Sequence, residues 1–302
     1  MSYRRHIWRA AAATLIVAAA VPAAAQGRGN AFGRGRDKSP SAASVPSSSG
    51  STTVAGDAPF FVPSGAGIRN FGAWLDDASL LEPGMGWTSV SFGFWKTPLV
   101  NEVDVPMVDG GFGLNRRMQV GFSLPFYHVN EPGGPITRGV GDLYLSAKIQ
   151  LRDPASSAHG VGFAVIPVLE VLHFQPGPEE SRVQWAFPAS IEVRRDGWRV
   201  FGSTGYFSRG ALFAAAAAEL ALSDRAWLVG TISQSHSIDA DDYSASLGLA
   251  QTRTDVSGGL TVMATPNLAV FGNVGRTISR QDFTSTRVAL TGGVSYNFTA
   301  WK

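Results

Sequence analysis

The sequence predicts an all-β protein, namely a transmembrane, antiparallel, up-and-down β-barrel of about twelve strands. Three observations support this prediction: an N-terminal export signal, long stretches of alternating apolar and polar residues, and connections of two distinct lengths. Hydrophobic residues make up 44% of the 302 residues, yet beyond the export signal no window holds the ~18 consecutive apolar residues of a membrane helix. Membrane strands are therefore favoured over membrane helices.

Residues 1–25 are predicted to be a cleaved secretory signal peptide. Three arginines precede the apolar run Ala10–Val21, and Ala23-Ala24-Ala25 forms a cleavage site of small residues. The apolar run is too short for a membrane helix. The Arg4-Arg5 pair is also a feature of twin-arginine signals, but the residues that follow it fit an ordinary export signal better.

Two segments separate the signal from the barrel, which is predicted to cover residues 86–302. Residues 26–59 are rich in Gly, Ser, Ala and Pro, and they are predicted to be a disordered linker because they offer little apolar surface to bury. Residues 60–85 form a lead-in segment with more apolar residues but no clean period. This segment is either a short helix or a stretch tucked into the mouth of the barrel.

The barrel strands are predicted from a period of two, since successive side chains of a strand point to opposite faces. The clearest is Asp142–Arg152, whose eleven residues approach the roughly 9 to 11 that a tilted strand needs to cross a bilayer. Ala214–Ala218 favours a helix by propensity, but its neighbours alternate, so a strand is predicted there. The other strands are predicted near residues 86–95, 103–114 with a β-bulge, 118–126, 161–171, 183–194, 198–206, 210–222, 226–236, 251–264, 268–278 and 286–298.

The connections between these strands alternate in length. One set is short, at residues 115–116, 153–159, 196–197, 223–225 and 265–267. The other set is mostly longer and more polar, at residues 96–102, 130–139, 175–181, 237–250 and 279–285, with a short exception at 207–209. Short periplasmic turns and long outer loops are typical of bacterial outer-membrane barrels.

Aromatic residues at the strand ends predict two interfacial belts. The predicted periplasmic belt contains Trp87, Trp198, Trp227, Tyr296 and Phe298, and the outer belt contains Phe94, Trp95, Phe126, Phe174 and Trp185. The pattern of Gly293, Tyr296 and Phe298 also resembles the outer-membrane assembly signal, although four more residues follow Phe298.

Two phrases, residues 114–125 and 139–148, resemble the family named for the meta pathway of phenol degradation. Members of that family are outer-membrane barrels often called transporters, and the resemblance covers roughly residues 86–298. It implies an outer-membrane location in a Gram-negative bacterium and uptake of small hydrophobic or aromatic solutes. It assigns no substrate-binding residues.

The inward face of the predicted barrel carries charge. A barrel of about twelve strands lies between eight-stranded barrels filled by side chains and open porins of ~16 strands, so its lumen is expected to be narrow. Balanced charges favour a lumen cross-linked by ion pairs over a charge-selective pore. The predicted lumen-lining residues are Asp142, Lys148, Arg152, Glu170, Glu192, Arg194, Arg199, Glu219, Arg253, Asp255 and Arg287.

The predicted function is passive transport of small solutes through an outer-membrane barrel. The expected partners are outer-membrane lipid and lipopolysaccharide, the barrel-assembly machinery and a small-molecule solute. A net charge of +2 argues against nucleic acid, and the absence of cysteine excludes thiolate metal sites. Neither a cofactor nor a metal is expected.

Three alternatives stay open from the sequence. A lipid-modifying enzyme would use Ser235-His236-Ser237 with Asp239, Asp241 and Asp242, although the His-x-Ser spacing of such enzymes is missing. The same aspartates form a solvated loop more readily than a cation site, and His128, His159 and His173 lack metal-ligand spacing. A structural or adhesive barrel and a soluble β-sandwich are the other two alternatives.

Overall fold

The computed structural model describes residues 75–98, 101–130, 137–155, 157, 160–172, 181–208, 210–238, 250–282 and 285–301. Within these ranges no helix is long and apolar enough to cross a bilayer. The strands are β1 (Met85–Lys96), β2 (Asn101–Asn115), β3 (Met118–Asn130), β4 (Thr137–Val140), β5 (Leu143–Arg152), β6 (Val161–Val165), β7 (Val168–Val171), β8 (Val183–Arg195), β9 (Trp198–Phe207), β10 (Ala211–Ser223), β11 (Ala226–Ser237), β12 (Thr252–Thr265), β13 (Leu268–Thr277) and β14 (Val288–Thr299).

The strands form one closed antiparallel barrel. Strand β14 pairs with β1 along its whole length, from Met85 opposite Thr299 to Lys96 opposite Val288. Strands β4 and β5 both pair with β3, and β6 and β7 both pair with β8, so each couple forms a single interrupted crossing of the wall. Twelve crossings result among the described residues. The predicted fold class and strand number are confirmed.

The two faces of the wall differ in chemistry. On β1, Ser89 and Ser91 are buried on the inward face, whereas Val90 and Phe92 point outward and are 49% and 48% exposed. The same alternation recurs around the ring, and the outward face is a continuous apolar surface. A soluble β-sandwich would bury such a surface between its sheets. The sandwich alternative is therefore wrong, and the outward face has the chemistry of a lipid-facing wall.

Two strands contain an unusual feature, a register shift in β2 and an alanine run in β10. The pairing of β2 shifts between Asp104 and Met107, and both of these side chains are buried inward while Val105 and Pro106 between them are exposed. This is the predicted β-bulge. The alanine run in β10 is a strand with alternating burial, because pairing with β9 and β11 on both sides outweighs its helix propensity.

The two ends of the barrel differ in their connections. Strand β1 starts and β14 finishes at one end, which also carries short connections such as Asp196-Gly197, where the φ of Gly197 is 76°. We call this end the turn end. The opposite end, called the loop end, carries the longer set, and its connection between β9 and β10 is the short exception expected from the sequence. The asymmetry is that of outer-membrane barrels.

Candidate functional site

Residues 75–84, which precede β1, lie inside the barrel, and we call them the lumen segment. At one side Leu75 packs against Phe201 and Ala217 of the β9–β10 wall, and near the other side Leu81 packs against Trp87 of β1. The described part of the lead-in region is therefore a segment inside the barrel and not a helix.

The wall approaches the backbone of the lumen segment closely at β2. A Cβ atom on Gly113 would lie 2.3 Å from the carbonyl oxygen of Glu82, so glycine is needed at this position for the approach. The Gly84 N–H donates to the Gly113 carbonyl oxygen at 2.9 Å, and Gly84 has a φ of 82°. The chain turns here from the lumen into the first strand.

Two inward cations bind the aspartates of the lumen segment. The Lys148 ammonium on β5 donates to Asp76 Oδ1 at 2.7 Å and to Asp77 Oδ1 at 2.9 Å. The Arg199 guanidinium on β9 donates to Asp77 Oδ2 at 2.5 Å and to Glu219 Oε2 on β10 at 2.9 Å. All five side chains are buried. The Asp77 carboxylate of the segment thus joins two strands of the barrel wall, β5 and β9.

A second set of contacts holds the middle of the segment to β8. The Ser79 hydroxyl donates to Glu192 Oε2 at 2.7 Å and accepts a hydrogen bond from Arg194 Nη2 at 2.6 Å. The Ala78 N–H donates to the same Glu192 oxygen at 3.2 Å, and Gln150 Nε2 donates to the Ala78 carbonyl at 2.8 Å. Asp76, Asp77, Lys148, Glu192, Arg194, Arg199 and Glu219 together are called the lumen network.

The two adjacent aspartates of the lumen segment, which lies outside the membrane-spanning strands, differ in acidity. Burial raises the pKa of Asp76 to about 7, and the attraction of Lys148 offsets only part of that effect. Burial acts in the same direction on Asp77, but Lys148 and Arg199 together outweigh it and the pKa of Asp77 is lowered. Asp77 is therefore the charged anchor of the segment at neutral pH.

The structure brings five of the predicted lumen residues together in the lumen network, namely Lys148, Glu192, Arg194, Arg199 and Glu219. Lys148 contacts the aspartates of the lumen segment. Glu170 lies apart from the network, and its Oε1 accepts a hydrogen bond from the Tyr144 hydroxyl at 2.5 Å.

The other predicted lumen residues are dispersed. Arg253 and Asp255 form a pair at 2.9 Å on β12, and Asp142 is buried at the break between β4 and β5. Arg152 and Arg287 are exposed at opposite ends of the barrel, where Arg152 donates to the Ser157 hydroxyl. A register shift in β5 pairs Arg152 with Phe163, an outward side chain, and Arg287 precedes the first residue of β14, so neither belongs to the lumen network.

The aromatic belts need correction. Trp87, Trp95 and Trp227 lie on the inward face and are 2%, 1% and 6% exposed, so they are packed inside the barrel and do not belong to an interfacial belt. The structure places the following predicted belt residues on the outward face: Phe94, Phe126, Trp185, Trp198, Tyr296 and Phe298. Phe174 lies outside the described residues. Gly293 of the assembly pattern lies against Ser91 of β1.

Sequence reasoning missed the residues that connect the lumen segment to the wall. Asp76, Asp77 and Ser79 lie in a stretch without a period, so no strand pattern marks them as buried. One signal was available in the sequence. Asp76 and Asp77 stand between apolar residues, and burial of those apolar residues also buries the two carboxylates, which is unusual.

The candidate catalytic triplet is divided between the two faces of β11. Ser235 and Ser237 are buried inward, whereas His236 lies on the outward-facing register and its Nδ1 is 3.0 Å from the Thr252 hydroxyl. Neighbouring residues on opposite faces cannot form a nucleophile–base pair within the triplet. The three aspartates of this hypothesis, together with His159 and His173, lie outside the described residues. In the described ranges no three His, Asp or Glu residues are grouped to hold a metal.

The solved structures similar to this chain include an outer membrane channel from Pseudomonas putida F1 and the NanC porin. The Pseudomonas putida channel shares 15% sequence identity with a TM-score of 0.56, and the match covers 74% of this chain and 98% of that one. The chain has the fold of an outer-membrane barrel. The NanC porin shares 8% identity with a TM-score of 0.52, and this match covers 69% of this chain and 98% of that one. No family model and no curated protein matches the chain, so its resemblance to the meta-pathway family stays a prediction.

Proposed function

We propose that the protein is a passive channel for small solutes in the bacterial outer membrane, and that the lumen segment closes it in the state described here. The observation that carries the proposal is a closed barrel whose charged lumen is occupied by a segment of the chain that is not one of the wall strands. The hydrogen bonds that join residues 76–81 to the wall, including that of the Leu81 N–H to Gln119 Oε1 at 2.9 Å, use side chains of the wall and not its backbone. Residues 75–81 can leave without breaking the hydrogen-bond ladder of the barrel, while the backbone hydrogen bond from Gly84 to Gly113 keeps the start of β1 in place.

The energetics of the lumen network fit a removable segment. A buried ion pair contributes little net stability, because the cost of desolvating two charges offsets most of their attraction. When the segment leaves, water can replace it around the wall charges and recover that solvation cost. The ordered wall, whose strands pair around the ring, retains its own hydrogen bonds in both states.

The remaining sequence predictions belong to this proposal. Residues 1–25 direct export, the C-terminal pattern around Phe298 engages the barrel-assembly machinery, and the outward face contacts lipid and lipopolysaccharide. The resemblance to the meta-pathway family supports small hydrophobic or aromatic solutes as cargo. The protein acts without enzymatic chemistry.

Planar-bilayer recording and liposome swelling with the refolded full chain test the proposal. We expect discrete openings separated by long closed periods, together with uptake of small neutral solutes. Refolding is verified by the heat-dependent shift in gel mobility of an intact barrel. A correctly refolded barrel that neither conducts nor admits any solute would disprove the channel, and recovery of the native protein from soluble periplasm would disprove its location.

A further inference from the structure

We propose that Lys148 and Arg199 form a binding site for small carboxylates, which the lumen segment fills when the barrel is closed and a carboxylate solute fills when it opens. This inference rests on the proposed channel function and names the class of solute that the lumen recognises. Asp77 then acts as an internal substitute for the solute.

The geometry of Asp77 is that of a bound carboxylate ligand. Its Oδ1 accepts from Lys148 at 2.9 Å and its Oδ2 accepts from Arg199 at 2.5 Å. The two cations come from β5 and β9, which are separated in the ring by β6, β7 and β8. A carboxylate held by two charged donors from different strands makes hydrogen bonds roughly twice as strong as neutral ones. The donors belong to the fixed wall, and only the acceptor belongs to the segment.

The balance of acidic and basic side chains in the lumen network changes when the segment leaves. The network holds four acidic and three basic side chains, and two of the acidic ones, Asp76 and Asp77, belong to the segment. Departure of the segment leaves two acidic and three basic side chains. Glu219 stays with Arg199 and Glu192 stays with Arg194, whereas Asp76 and Asp77, which both accept from Lys148, leave. Within the lumen network the basic side chains then outnumber the acidic ones.

The surroundings strengthen this preference for an anion. With the segment in place the Lys148 and Arg199 side chains are 3% and 4% exposed, and Asp77 between them is buried. Phe201, whose ring centroid is 4.8 Å from the Arg199 guanidinium, limits the access of water on one side. A small carboxylate can satisfy both cations, while a neutral solute of the same size cannot.

The occupants compete, so a carboxylate solute favours the open barrel. A ligand that binds only when the segment has left shifts the equilibrium toward the state in which the site is free. The solute thereby promotes its own passage. The expected solutes are small organic acids with one or two carboxylate groups.

Labelling of a single cysteine in the lumen segment tests the inference without measuring current. The chain has no native cysteine, and Ala78 is 0% exposed, so the Ala78→Cys side chain reports release of the segment. In the full chain we expect succinate to accelerate labelling by a polar maleimide at least about fivefold, with saturation. The neutral analogue 1,4-butanediol should have no effect. Succinate without effect on the labelling rate would overturn the inference.

The matched variants locate the effect. In the Ala78→Cys background, Lys148→Gln should abolish the succinate response, whereas Lys96→Gln, at an exposed lysine on β1, should retain it. An equal response in Lys148→Gln would overturn the assignment. If that variant does not refold, the succinate dose response of the Ala78→Cys protein, compared with butanediol, still decides.

Ion selectivity separates this inference from the channel proposal. The reversal potential of the open Asp76→Asn/Asp77→Asn variant in a KCl gradient should lie closer to that of a chloride-selective channel than the reversal potential of the same variant carrying Lys148→Gln. Conducting variants with equal reversal potentials contradict the carboxylate site and leave the channel intact. A variant that never conducts, in a protein whose labelling still responds to succinate, contradicts the channel and leaves the site intact.

Discussion

Replacement of Asp76 and Asp77 together by asparagine is expected to turn the closed barrel into a channel that is open most of the time. The wall cations Lys148 and Arg199 would then face amides in the closed state, since both carboxylates of the segment are lost. Removal of one partner of a buried ion pair costs about 3–5 kcal/mol. That cost falls on the closed state alone, because the cations are hydrated when the segment has left.

A cost of this size changes the ratio of open to closed states by about two to four orders of magnitude. Open probability in planar bilayers measures it directly. Asp196→Asn/Asp224→Asn is the matched control, because it makes the same chemical change at two exposed turn residues and should leave the open probability unchanged. Equal open probability in wild type and the Asp76→Asn/Asp77→Asn variant would show that the aspartates do not hold the segment.

Val90→Arg is expected to destabilise the barrel in lipid by about 2–4 kcal/mol, the cost of arginine on the lipid face at the bilayer midplane. Val90 lies at the middle of β1, points outward, and is flanked by Val108 and Val294 on the neighbouring strands. Urea unfolding of the full chain in phospholipid vesicles measures the effect.

An arginine placed near a membrane interface, instead of at the bilayer midplane, provides the control. Leu222 is 56% exposed on the outward face of β10, close to the turn end, and Leu222→Arg should cost only ~0–1 kcal/mol. A depth-dependent pair of values identifies the outward face as lipid-facing. Equally small losses at both positions would contradict a membrane-spanning wall.

The barrel itself could be predicted from the sequence because its information is local. A period of two sets the face of each residue, and a signal such as Asp196-Gly197 sets the reversal between strands. The errors at Trp87, Trp95 and Trp227 arose from assigning belts by distance along a strand alone. Trp87 shares its register with Ser89 and the other inward residues of β1, so the same period already placed it inside.

The closed lumen could not be predicted in the same way, because its contacts join distant residues. Asp76 is 72 residues from Lys148, and Asp77 is 122 residues from Arg199. The balance of charge on the inward faces of the strands correctly indicated ion pairing. It could not show that a carboxylate from outside the strands would bridge two of those cations, since a segment without a period carries no signal of its location.

The most direct test of a lumen closed by a removable segment is the current through a barrel whose segment is reversibly tethered. Gln150 on β5 donates to the Ala78 carbonyl at 2.8 Å, so Ala78→Cys and Gln150→Cys place two thiols within reach of a short cleavable cross-linker. In planar bilayers the tethered protein should show no openings, and cleavage of the linker should restore the openings of the untethered variant. Tethered protein that conducts as well before cleavage as after it would contradict the account.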